Sequence, residues 1–107
     1  MATWIRALPQ KEFGGVIVTM PNTLTAVTST DSYLFQASFT NTTASTVTIK
    51  VVDQNTVAKT LISDQANLVA GGSVIFAWPQ GVYMKGGIKW VCSAASAVDA
   101  QLYGFQV

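Results

Sequence analysis

Proton transfer, nucleophilic attack and metal binding need particular side chains, and this sequence has few of them: five carboxylates, one thiol and no imidazole. Without histidine, neither a Ser-His-Asp or Cys-His nucleophile nor a His-containing zinc site can be built. The carboxylates Glu12, Asp31, Asp53, Asp64 and Asp99 stand singly, in turns or at strand ends. A glycoside hydrolase needs two carboxyl groups facing each other across the sugar, so that activity would depend on the fold to bring a distant pair together. Asp53-Gln54-Asn55 puts oxygen ligands in one turn but lacks the longer acidic loop and closing Glu of a calcium hand. Gly71-Gly72 and Gly86-Gly87 open no helix and precede no Lys-Ser/Thr pair, so they read as turn glycines rather than phosphate cradles. The glycosylation-type triplet Asn41-Thr42-Thr43 reads equally as a hydrogen-bonding turn. No catalytic residue, metal ligand or cofactor is assigned, and the chain is expected not to be an enzyme.

Binding chemistry is better represented. Trp78, Tyr83, Trp90, Tyr103 and Phe105 could stack on sugar rings, as the aromatics of carbohydrate-binding modules do. Trp90 alternates with Ile88 and Cys92, which places it in a core. Trp78 and Tyr83 flank Pro79-Gln80-Gly81 and are candidates for the rim of a contact surface.

The elements that must position these groups are strands. Half of the 107 residues are hydrophobic and only 10% are charged, against roughly 25% charged in a typical soluble domain. Apolar residues recur at alternate positions over short runs, which is the strand period. In Tyr33 to Phe39 the alternation puts Tyr33, Phe35, Ala37 and Phe39 on one face, and in Thr46 to Val51 it puts Val47, Ile49 and Val51 inward. Asn41 to Ser45 would join these two runs as a hairpin. Further strands are expected at 13–19, 23–28, 57–62, 73–78, 88–93 and 98–105, with breakers that include Pro79-Gln80-Gly81. The stretch 62–70 is the one place where a helical turn is expected.

About eight short strands in one small chain indicate an antiparallel β-sandwich, with a jelly-roll favoured over an immunoglobulin-like arrangement. The domain is expected to span 13–107, preceded by residues 1–12 as an arm or edge strand. The core would take Val16, Val18, Tyr33, Phe35, Phe39, Val74, Phe76, Trp90, Cys92 and Leu102 together with Val47, Ile49, Val51 and Ile88. Ile62 finds no place in that core; also left over are Val52, Ile75 and Val91 on the opposite faces of their strands, and Trp4, Ile5 and Leu8 ahead of Pro9. With Trp78 and Tyr83 these are the candidate partner-binding residues, and the apolar excess beside a charge deficit points to a homo-oligomer. A net charge of +1 supplies no basic footprint for nucleic acid. No apolar run approaches the roughly 20 residues of a spanning helix, and residues 1–10 lack the apolar core of a secretory leader. The lone Cys92 is expected to be a buried thiol in a protein made in a reducing compartment.

The run Phe76-Ala77-Trp78-Pro79-Gln80-Gly81-Val82-Tyr83-Met84-Lys85-Gly86-Gly87-Ile88 resembles small β-sandwich proteins encoded among tailed-bacteriophage virion genes. The Asn41-Thr42-Thr43-Ala44-Ser45 turn, a Gly-Gly turn into an apolar strand and the closing Leu102-Tyr103-Gly104 share in that likeness, which covers roughly Ser32 to Phe105. What the resemblance implies is a capsid decoration, or cement, protein: a small jelly-roll, commonly trimeric, made in the host cytoplasm. It would sit on the outer face of the major capsid protein and have no enzymatic activity. The alternative is a tail, fibre or adhesin-type module that binds carbohydrate through Trp78 and Tyr83.

Overall fold

The computed structural model describes residues 11–107, with the side chains of 64–66 left aside. Its elements are all strands: β1 (Lys11–Gly14), β2 (Val18–Thr19), β3 (Thr25–Ala26), β4 (Ser32–Asn41), β5 (Val47–Asp53), β6 (Thr60–Leu68), β7 (Ser73–Met84), β8 (Ile88–Cys92) and β9 (Val98–Gln106). They form two antiparallel sheets. The first has the order β1-β9-β4-β7, with β2 also paired to β9, and the second has the order β3-β8-β5-β6. The protein is thus an all-β antiparallel sandwich.

Alternation generates the core where ladders run unbroken. In β9, Val98, Ala100 and Leu102 are buried while Asp99, Gln101 and Tyr103 face outward, and β8 buries Ile88, Trp90 and Cys92. Phe39, Leu34 and Ala37 of the first sheet join Val47, Ile49, Val51, Ile62 and Leu68 of the second in one cluster. Each large aliphatic or aromatic side chain in it contributes roughly 1.5–3 kcal/mol through removal from water. Cys92 is a buried free thiol, as its alternation suggests.

Several sequence expectations are corrected. A register shift between Leu34 and Gln36, present against both β7 and β9, reverses the parity of β4. Leu34 therefore points inward while Tyr33 and Phe35 are only half-buried. Val16 and Val18 are exposed because Gly14 and Gly15, both at positive φ, break the expected strand 13–19 into β1 and β2. Strand β7 runs straight through Pro79-Gln80-Gly81. Proline is tolerated there because β7 is an edge strand and residues 78–81 bulge between Ala77 and Val82, leaving no ladder hydrogen bond for Pro79 to break. The stretch 62–70 contains no helical turn, since β6 pairs with β5 from Thr60 to Leu68 and tertiary pairing overrides the weak local preference.

The expected hairpin between β4 and β5 does not form either: β4 lies in the first sheet and β5 in the second. Asn41 organises the crossing. Its side chain is buried, and Nδ2 donates to the carbonyl oxygens of Ser45 (2.7 Å), Leu68 (3.0 Å) and Val69 (3.1 Å). Oδ1 accepts from the Thr43 amide at 2.9 Å and the Thr43 hydroxyl at 2.7 Å. One amide thus fixes the 42–46 turn and ties it to the end of β6 in the opposite sheet.

Candidate functional site

Two of the carboxylates, Asp31 and Asp53, serve local structure. Asp31, just ahead of β4, accepts the Gly86 amide at 2.7 Å and the Tyr83 hydroxyl at 2.8 Å. The Gly86 N–H, then the Tyr83 hydroxyl and the Lys85 charge hold its carboxyl below the ordinary range, against a smaller desolvation effect. The same bond raises the Tyr83 phenol. Asp53 is buried at the end of β5, where its Oδ1 accepts the amides of Lys59 (2.8 Å) and Asn55 (3.2 Å) and so shapes the 53–59 turn. Among the described residues no three acidic or thiol groups converge as a metal cage.

Asp31 makes stability depend on pH. Its folded pKa is depressed, so its contribution is complete above the unfolded value near 3.9 and is lost as pH falls through the folded value. Urea unfolding midpoints measured from about pH 5 to pH 2 should therefore fall more steeply for the native chain than for Asp31→Asn. Equal slopes would show that this brace contributes nothing.

The expected partner-binding residues do not share one surface. Trp4, Ile5 and Leu8 lie outside the described residues, as does most of the expected 1–12 arm or edge strand. Val52 is only 3% exposed, which removes it from the residues a partner could reach. Three successive residues, Val51, Val52 and Asp53, are buried there, although the register against β8 is unbroken and Val52, opposite Lys89, lies outside the core cluster. Trp78 is half-buried and stacks on Phe76 at 6.0 Å with rings 9° from parallel, against the core. Val91 is half-buried on the outward face of the second sheet, opposite Lys50. Ile75 (66% exposed) and Tyr83 (48% exposed) share the outward face of the first sheet.

That outward face was only partly legible from sequence. The register sets Glu12, Phe105, Tyr33 and Tyr83 in one cross-strand row, Tyr103, Gln36 and Ala77 in the next, then Gln101, Ser38 and Ile75, and finally Thr19, Asp99, Thr40 and Ser73. It grades from aromatic to polar. Tyr33 and Tyr83 lie 5.3 Å apart, and Phe105 meets both Phe35 and Tyr103 edge-on at 5.8 Å. Phe35 covers Gly81, whose missing side chain leaves room for the ring. Tyr83, Tyr103 and Phe105 of the expected aromatic set thus share this face, whereas Trp78 and Trp90 pack inward. Tyr33 and Phe35 join them through the β4 bulge, which no local signal announces.

A second surface was missed altogether. Where the β1–β2 side of one sheet approaches β3 and β8 of the other, the sandwich is open along an apolar cleft of about 200 Å3. Phe13, Val16, Val18, Val27, Trp90 and Leu102 line it, and Ile17, 72% exposed, lies on the same β1–β2 connection. The signal was the Gly14-Gly15 doublet inside an apolar run, which turns two valines out of the core. No helix among the described residues is long and apolar enough to cross a membrane. Set against known proteins, the chain matches no family model and no curated sequence.

Proposed function

We propose that this chain is a non-enzymatic virion structural protein that binds the outer face of a bacteriophage capsid and stabilises it as a decoration protein, with copies grouped in threes. The apolar cleft between the sheets carries the reading. Its lining carries no charge and, apart from the indole N–H of Trp90, no hydrogen-bonding side chain, so it favours an apolar occupant selected by shape. Exposed Val16 and Ile17 beside it extend an apolar patch of the kind that marks protein contacts. The strand order, which interleaves early and late strands in both sheets, supports the jelly-roll reading over the immunoglobulin-like one. The likeness to phage virion proteins supplies the partner class: the major capsid protein, met on the virion surface after synthesis in the host cytoplasm.

A protein that binds only the assembled shell adds its binding free energy to that state and raises the shell's resistance to heat. Sedimentation with purified shells of the encoding phage should therefore pull down the wild-type chain and raise the temperature at which the shells rupture. Val16→Lys together with Val18→Lys changes two exposed side chains. The double variant should keep the wild-type melting temperature yet bind at least about thirtyfold more weakly, the loss of roughly 2 kcal/mol expected at a contact hot spot. Wild-type protein that stays in the supernatant overturns the assignment; a double variant that sediments as tightly as wild type overturns the cleft as the contact.

A further inference from the structure

The outward face of the first sheet is a second surface, distinct from the apolar cleft. Two shallow clefts meet there at Gln101. One, of about 210 Å3, is lined by Gly15, Gln36, Gln101 and Tyr103, and the other, of about 180 Å3, by Ile17, Ser38, Thr40, Asp99 and Gln101. Together they reach the lower end of the roughly 300–1,000 Å3 that small-molecule sites occupy. We propose that this groove binds a neutral oligosaccharide, with one pyranose against Tyr103 and its hydroxyls on Gln36, Gln101, Ser38 and Asp99.

Three features select that class of ligand. The first is the type of polar group. A side-chain amide offers a donor and an acceptor side by side, which matches a pair of neighbouring sugar hydroxyls, and a carboxylate accepts from a hydroxyl. Gln36 and Ser38 take no hydrogen-bond partner through their side chains among the described residues, and Gln101 uses only Nε2, bonded to the Gly15 carbonyl at 3.0 Å. The second is preorganisation. The Tyr103 ring is braced by the edge of Phe105, so a sugar would meet a wall already in place. Because β9 and β4 are interior strands, their backbone groups are paired and recognition falls to side chains alone. That disfavours an extended peptide, which binds a sheet through free edge groups.

The third is charge. Glu12 and Asp99 lie in its rows, none of the four rows carries a Lys or Arg, and Asp31 at its border is offset by Lys85. Uronates, sialosides and sulfated or phosphorylated chains would meet like charge, whereas an uncharged sugar would not.

The test is nuclear magnetic resonance of the 15N-labelled full chain, titrated separately with hexaoses of glucose, xylose, mannose, galactose and N-acetylglucosamine, and with hexagalacturonate as the anionic control. At least one neutral hexaose should shift the side-chain amide signals of Gln36 and Gln101, and hexagalacturonate should not. Gln36→Ala, at an exposed position with no internal partner, should weaken that binding at least tenfold, while Val57→Lys, at an exposed position between β5 and β6 of the other sheet, leaves it unchanged. The site is overturned if no neutral hexaose moves these signals, if the anionic sugar moves them more, or if Gln36→Ala binds as wild type. It is also overturned if the signals move with protein concentration alone, which would make the face a contact between copies. None of these results depends on capsid binding, so either proposal can fail without the other.

Discussion

Replacing Asn41 with alanine is expected to destabilise the chain by about 3–4 kcal/mol, among the larger losses a single substitution produces. The mutation takes from the Leu68 carbonyl and the Thr43 amide their bonds to one buried side chain, and removes one bond each from the Ser45 and Val69 carbonyls, which keep the Thr43 hydroxyl and the Gly72 amide. A buried polar group left without its partner loses its hydration and receives nothing in return, at roughly 1–3 kcal/mol each where water cannot reach it. For a domain of this size the thermal midpoint should drop by roughly 15–25 °C. Asn41→Asp sharpens the test. At neutral pH it sets a second carboxylate oxygen against three carbonyl oxygens, so its folded pKa must rise. A raised carboxyl pKa gives stability that is present at low pH and disappears as pH climbs through the folded value. Asn41→Asp should therefore recover part of its loss on acidification, and Asn41→Ala should not. Calorimetry of both variants at pH 7 and pH 4.5 decides; a loss below about 1 kcal/mol for alanine would mean that water replaces the amide and that the crossing needs no such anchor.

Gly104→Ala should be comparably damaging by a different route. Gly104 sits in β9 between Phe13 of β1 and Leu34 of β4, beside the β4 bulge. A methyl group there would overlap the Tyr33 carbonyl oxygen and lie 2.8 Å from Cζ of the Phe13 ring. The first obstacle is backbone and cannot rotate away. Overpacking of well-filled interiors costs roughly 1–3 kcal/mol and occasionally more, and the upper end is expected because relief requires β4 and β9 to part. Gly15→Ala is the control. Nothing lies within 4 Å of the added carbon, but φ is +82°, so only the left-handed penalty of roughly 1–2 kcal/mol applies. Chemical denaturation should rank Gly104→Ala well below Gly15→Ala in stability. The reverse order would show that the bulge can absorb a side chain.

What the sequence reveals and conceals here has one physical source. Period-two alternation is reliable within an unbroken ladder, which is why Trp90, Cys92 and Leu102 were placed correctly inside. Every bulge resets that parity without a local signature. The shift at Phe35 put Tyr33 on the outward face, and the Gly14-Gly15 break expelled Val16 and Val18. Choice of partner strand is less local still. A turn as short as 42–46 suits a hairpin equally well, and Asn41 decides otherwise only by reaching carbonyls 27 and 28 residues away. Asp31, which reads as an isolated turn carboxylate, finds Tyr83 and Gly86 by the same kind of distant pairing.

The order of strands also sets a timetable for synthesis. In the first sheet β9 separates β1 from β4, so Lys11 waits for Gln106 and Ser32 for that same residue before their ladders can form. Translation proceeds at roughly 5–20 residues per second, and sheets dominated by distant pairings then fold in milliseconds to seconds. While β9 is still inside the ribosome, β4 has only β7 to pair with, and its other edge, with Leu34, Ala37 and Phe39 beside it, stays uncovered. Completion of the first sheet therefore waits until β9 has left the ribosome, and crowded polysomes are the place where nascent copies are most exposed to edge-to-edge aggregation.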